Sequence, residues 1–94
     1  MRLNIYCIHD SCAAIYQRPF FAQSDGEAMR SFGDIASDTE HPIGKHPEHY
    51  SIWRLGTYSQ DKAEITLESR ECLGQAIDLV TPENVTSISP GGTI

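Results

Sequence analysis

Four histidines, three cysteines and a set of aromatic and basic residues are the side chains of this 94-residue chain with chemistry to offer. His41, His46 and His49 lie close together, and Cys7 and His9 are two residues apart, which on a strand puts both on one face. Imidazole and thiolate suit zinc, but a structural zinc site needs four convergent ligands, usually supplied in tight pairs. No second tight pair accompanies Cys7 and His9. The loop histidines therefore read as solvated side chains, and no metal or other cofactor is expected. Cys12 or Cys72 could act as a nucleophile only with a histidine and an acid against the thiol, and no local signature singles out either one. Gly91-Gly92 is no phosphate loop, because no helix follows it to present backbone amides. The acidic pairs Asp61/Glu64 and Glu68/Glu71 read as solvated surface. The expectation is a protein that binds rather than an enzyme, with a small thiol enzyme as the outlying alternative.

The aromatic and basic residues point to what could be bound. Tyr50, Trp53 and Tyr58 share one segment with Arg54, Arg18 flanks Phe20 and Phe21, and Arg30 and Lys45 add cations. Single-stranded nucleic acid is gripped by bases stacking on exposed rings while cations follow the phosphates. The candidate DNA-binding set is Arg18, Arg30, Lys45, Tyr50, Trp53, Arg54 and Tyr58. The competing reading makes the rings the filling of a thin core. Trp53 and Tyr58 are an odd interval apart, so a regular strand puts them on opposite faces; a bulge at Gly56 would change that. Seven Lys and Arg against 13 Asp and Glu leave a formal net charge of -6. That balance opposes a strong phosphate contact and confines DNA binding to a weak or local one.

The elements that must position these residues follow from periodicity. Residues 3–9 carry Leu3, Ile5 and Cys7 on one side and Asn4, Tyr6 and Ile8 on the other, a strand covered on both faces. Residues 19–23 read as a short edge strand opened by Pro19. Ser24 and Glu27 form a capping box, in which the Glu27 carboxylate is expected to return to the cap amide. Behind it Ala28, Met29, Phe32, Ile35 and Ala36 make the apolar stripe of a helix over about residues 25–37, with Gly33 a mild weakness. Residues 38–48 hold three Pro/Gly breakers and no period, so they read as a loop. Residues 50–58 and 63–68 make a hairpin, and residues 72–80 lean towards a short helix.

The resulting fold class is α+β: a single domain over residues 1–80 in ββαββ order, with a four-stranded, mainly antiparallel sheet and one helix packed on a face. Residues 81–94 read as a poorly ordered tail. An odd cysteine count without a C-x-x-C pair argues for reduced thiols. With no apolar run of membrane length and no signal-peptide pattern, a cytoplasmic location is expected and no membrane partner.

The residues also carry a dispersed pattern. Ile5-Tyr6-Cys7-Ile8-His9-Asp10 is followed by Ala13, Tyr16 and Pro19-Phe20, then by Asp25, Ala28, Arg30 and Phe32. His46-Pro47-Glu48-His49-Tyr50, Trp53, Leu55-Gly56 and Tyr58 complete it. Over about residues 3–68 this resembles the small non-structural proteins of gokushovirus-type microviruses, which are phages with single-stranded DNA. The resemblance implies a DNA-binding or replication-associated protein acting in viral single-stranded DNA synthesis and genome packaging, in the host bacterial cytoplasm. It transfers no catalytic residue. The partners it implies are single-stranded DNA, or viral replication and procapsid proteins met by an adaptor without direct DNA binding. A free sheet edge would also allow a homodimer.

Overall fold

The structure is a computed structural model that describes residues 1–80. The expectation of a disordered tail falls on residues outside those described. Arg2–Asp10 form β1, Ile15–Tyr16 β2, Phe20–Ala22 β3, Tyr50–Ser59 β4 and Glu64–Gln75 β5. Asp25–Ala36 form α1, Pro42–Lys45 α2 and Ala76–Leu79 α3, with a 3-10 turn at Pro47–His49. All strand pairings are antiparallel. β1 is central, bordered on one side by β4 and then β5, and on the other by β2 and β3 end to end.

The α+β class and the antiparallel sheet agree with the sequence reading, while the ββαββ order and the single helix do not describe the whole chain. β2 was not expected. It exists because Asp10 accepts the Cys12 and Ala13 amides and folds the chain back along β1, with Ala14 at φ 58° in the turn. Residues 38–48 contain helical structure too short to show a period. His41 Nδ1 accepts from the Ile43 amide, Pro42 opens α2, and Ile43 is buried. The expected helical lean of residues 72–80 applies only to Ala76–Leu79, because Cys72, Gly74 and Gln75 pair with β4.

α1 runs close to its expected span. Ser24 Oγ accepts from the Glu27 amide at 3.1 Å, as the capping box requires. The returning carboxylate reaches one residue further back, to the Gln23 amide at 2.7 Å. Ala28, Phe32 and Ala36 are buried at a spacing of four and meet Tyr6, Ala22 and Ile52 from the sheet, with Ile43 and Ala76 closing the ends. Gly33 is no mere weakness. A Cβ there would lie 3.3 Å from the Leu79 carbonyl oxygen, so its absence is what lets α3 sit against α1.

Cross-strand partners share a face, so the register sorts the sheet into two sides. Asn4, Tyr6 and Ile8, Phe20 and Ala22, and Tyr50, Ile52 and Arg54 lie on the side that carries α1. Leu3, Ile5, Cys7 and His9, with their partners Tyr16, Phe21, Ser51, Trp53, Gly56 and Tyr58, lie on the side without a helix. The register slips between Arg54 and Gly56, where Leu55 has no partner. A Cβ on Gly56 would overlap the Thr66 carbonyl oxygen, so the slip needs glycine at this position. Replacing Gly56 with alanine is expected to cost about 1–3 kcal/mol of stability from overpacking. Gly26→Ala, whose Cβ would meet Ser24 Oγ at an ordinary 3.9 Å inside the first turn of α1, is expected to gain up to about 1 kcal/mol. Urea unfolding of both variants checks the contrast.

Candidate functional site

The unexpected junction of the fold is polar. Asp25, in the first turn of α1, accepts from the Tyr6 hydroxyl of β1 at 2.7 Å and from Arg54 Nη1 of β4 at 2.5 Å. Arg54 Nη2 reaches on to Glu71 of β5 at 2.6 Å. One cation thus joins two carboxylates, and one carboxylate ties the helix to two strands. The Tyr6 hydroxyl and the Arg54 guanidinium hold the Asp25 carboxyl below its ordinary range, against the opposing effect of burial. Tyr6 is pushed up to about 12, chiefly by burial and then by its hydrogen bond to Asp25. The cluster builds structure and leaves Arg54 little charge to offer a ligand.

The opposite face has a different character. Trp53 and Tyr58 both lie on it, because the slip at Leu55 adds one residue to their odd interval. Tyr16 stands edge-on to Trp53 at 6.0 Å and packs on His9 at 4.3 Å. Arg70 spans both rings, with its guanidinium carbon 5.3 Å from the centre of Tyr16 and 5.9 Å from that of Trp53. A second group joins Phe21 to Tyr58 at 5.6 Å. Tyr16 is 44% and Phe21 49% exposed because no helix covers them, whereas Ile5 and Cys7 on the same face are buried. Trp53 Nε1 donates to Ser51 Oγ at 2.9 Å, which fixes the plane of the indole. Burial pushes the Cys7 thiol up, opposed by the nearby Arg70 charge, so this cysteine is a packing residue.

Charge divides the same way. Among the described residues, no aspartate or glutamate occupies a paired position on the open face, where β5 contributes Ile65, Leu67, Cys72 and Gln75. Asp10, Glu64 and Glu71 pair with residues of the helix side, and Asp25 and Glu27 stand on α1. Glu68, in the irregular stretch of β5, acts on Arg54.

The seven residues singled out from the sequence do not form one surface. Trp53 and Tyr58 share the open face. Tyr50 and Arg54 belong to the helix side, Tyr50 against the core and Arg54 in its ion pairs. Arg18 lines a cleft of about 660 Å³ between Phe20, Ile35 and Ile43 on that same side. Arg30 is exposed on α1 and Lys45 on α2. Arg70, Tyr16 and Phe21 were missed as a group. Nothing local announces that Arg70 of β5 reaches over β4 and β1 to Tyr16 of β2.

The histidines also separate. His46 Nδ1 and His49 Nε2 approach Glu48 Oε2 at 4.0 and 3.8 Å, while His41 is occupied in capping α2. Cys12 and Cys72 are exposed and unpaired by disulfide. Among the described residues no helix is long and apolar enough to cross a membrane.

Two outcomes test the polar junction. Tyr6→Phe removes a shielded hydroxyl and is expected to cost about 1 kcal/mol in urea unfolding. Because the folded Asp25 carboxyl titrates below its unfolded value, its contribution is full above about pH 4 and is lost as pH falls through the folded value. Asp25→Asn should therefore flatten the acid limb of the stability profile measured by circular dichroism.

No curated protein and no solved structure matches the chain. A family model described as Phage ORF5 protein matches residues 3–79, which covers every strand and helix described above except Arg2, the first residue of β1. By that match the chain belongs to the Phage ORF5 protein family.

Proposed function

We propose that this phage protein binds single-stranded DNA across the open face of its sheet, as a non-structural protein of viral DNA synthesis and genome packaging. The observation that carries the reading is the segregation of that face: four aromatic residues and Arg70 gather on it, and among the described residues no carboxylate occupies its paired positions. The formal charge of -6 belongs to the whole chain, not to this surface. Base–ring stacking contributes about 1–3 kcal/mol per base and needs no particular sequence. Two ring groups, Tyr16/Trp53 and Phe21/Tyr58, supply that contact, and Arg70 supplies a cation beside the first. The resemblance to gokushovirus-type microvirus proteins supports the setting, a single-stranded DNA genome copied in the host bacterial cytoplasm. The role is binding, not catalysis.

A second reading rests on β5. This twelve-residue strand ends the sheet with one edge unpaired and is exposed from Glu64 to Cys72. Such an edge accepts a strand from another protein or from a second copy, so a docking role towards a replication or procapsid protein follows from it.

Trp53 is the sole tryptophan, so its fluorescence reports on the open face alone. Added oligothymidine is expected to quench it, with affinity falling as salt rises. Trp53→Ala, Tyr16→Ala and Arg70→Ala should each weaken binding about 5- to 100-fold in anisotropy titrations. Arg30→Ala and Lys45→Ala, on the other side, should leave it unchanged. An absence of quenching and of anisotropy change at micromolar protein would sink direct DNA binding. A partner protein recovered after nuclease treatment would then select the docking role.

A further inference from the structure

The segment entering β4 carries donor atoms that neither the core nor the open face uses. We propose that His46, Glu48 and His49 form a binding site for a divalent transition-metal ion of the zinc type. One donor atom from each residue lies within 4.8 Å of the other two. His46 Nδ1 and His49 Nε2 stand 4.0 and 3.8 Å from the same oxygen, Glu48 Oε2. The two imidazole rings lie nearly parallel, with centres 5.7 Å apart and planes 21° from each other. Zinc–nitrogen and zinc–oxygen bonds of about 2.0–2.2 Å place neighbouring tetrahedral donors roughly 3.3 Å apart. Closing from the observed separations requires the donors to approach and the two imidazole planes to turn out of their parallel arrangement, so that both in-plane lone pairs meet one ion.

The backbone that holds these side chains is fixed on both sides. Pro47 opens the 3-10 turn, and the His49 amide donates to the His46 carbonyl at 3.0 Å. The His49 carbonyl accepts from both the amide and the hydroxyl of Ser11, at 2.9 and 3.0 Å. The frame is rigid while His46 and Glu48 remain exposed and free to adjust. Two imidazoles and a carboxylate select zinc, cobalt or nickel over magnesium and calcium, which prefer oxygen donors alone. They fill three positions and leave a fourth for water, as in open zinc sites. A bound ion would link the two ends of the 3-10 turn and stabilise the fold by mass action. The site lies outside the set of open-face residues assigned to DNA and is independent of that reading.

The test titrates the full chain with zinc chloride by calorimetry, and with cobalt(II) by visible absorption. Saturable one-to-one zinc binding, a raised thermal midpoint and a visible cobalt band are expected. His46→Ala and His49→Ala should each weaken zinc at least about tenfold, with the metal-free thermal midpoint of the parent chain retained in His46→Ala, whose side chain is exposed. Glu48→Gln should weaken it in the same direction. The double variant Cys12→Ser, Cys72→Ser should bind as the parent does. Zinc affinity unchanged in the histidine variants, or lost in the cysteine variant, overturns the assignment. So does a parent chain showing neither heat nor cobalt band.

Discussion

The charge cluster around Arg54 is the interaction on which the rest of the molecule depends. A helix can rest on a sheet by apolar contact alone, but such contact does not fix which turn meets which strand. Here Asp25 stands at the start of α1, where the helix dipole favours a carboxylate, and receives donors from β1 and β4. Glu71 brings β5 into the same cluster. The pairs are partly solvated, so their net contribution is modest. Their value lies in direction: Arg54 is held to the helix side, so Trp53 beside it is turned to the other.

From that point the slip at Leu55 decides the open face. Without it, Tyr58 would fall on the side opposite Trp53 and the ring groups would be divided. Gly56 permits the slip because the β5 backbone passes where any side chain would stand. β5 carries the matching irregularity between Leu67 and Glu71, and this turns Arg70 towards Tyr16 and Trp53. The slip at Leu55 thus brings Tyr58 to the face of Trp53, while a second register shift, between Ile52 and Trp53, leaves Leu73 of β5 without a partner. For the proposed DNA contact, the conflict between an acidic chain and an anionic ligand eases there. Net charge governs the distant field, whereas a stacked base responds to the surface within a few ångströms.

The remaining polar chemistry sits at the other end of β4. The chain between α1 and β4 reads as loop, yet it is ordered by short devices: an imidazole cap, a proline at a first helical position and Ile43 inserted in the core. These devices fix the backbone of His46–His49 without engaging its donor atoms. A segment so constrained, with His46 and His49 gathered about Glu48, differs from a solvated histidine run of the same composition.

The sequence by itself determined the parts that depend on short-range pattern. The α1 span followed from Ser24, Glu27 and the spacing of Ala28, Phe32 and Ala36, since capping and amphipathicity act within a few residues. The strand over residues 3–9 followed from alternation, that over residues 50–58 from its aromatic and branched side chains, and the α+β class from the order of the elements. The family pattern over residues 3–68 pointed to a phage protein, in agreement with the matching family. Tertiary structure alone decided the face of each ring, because one unpaired residue at Leu55 reverses every assignment after it. It moved Arg54 from the ligand side to the scaffold, since its partners Asp25 and Glu71 lie 29 and 17 residues away. It also brought in Arg70, whose ring contacts lie on β4 and β2, beyond the reach of any periodicity along its own strand.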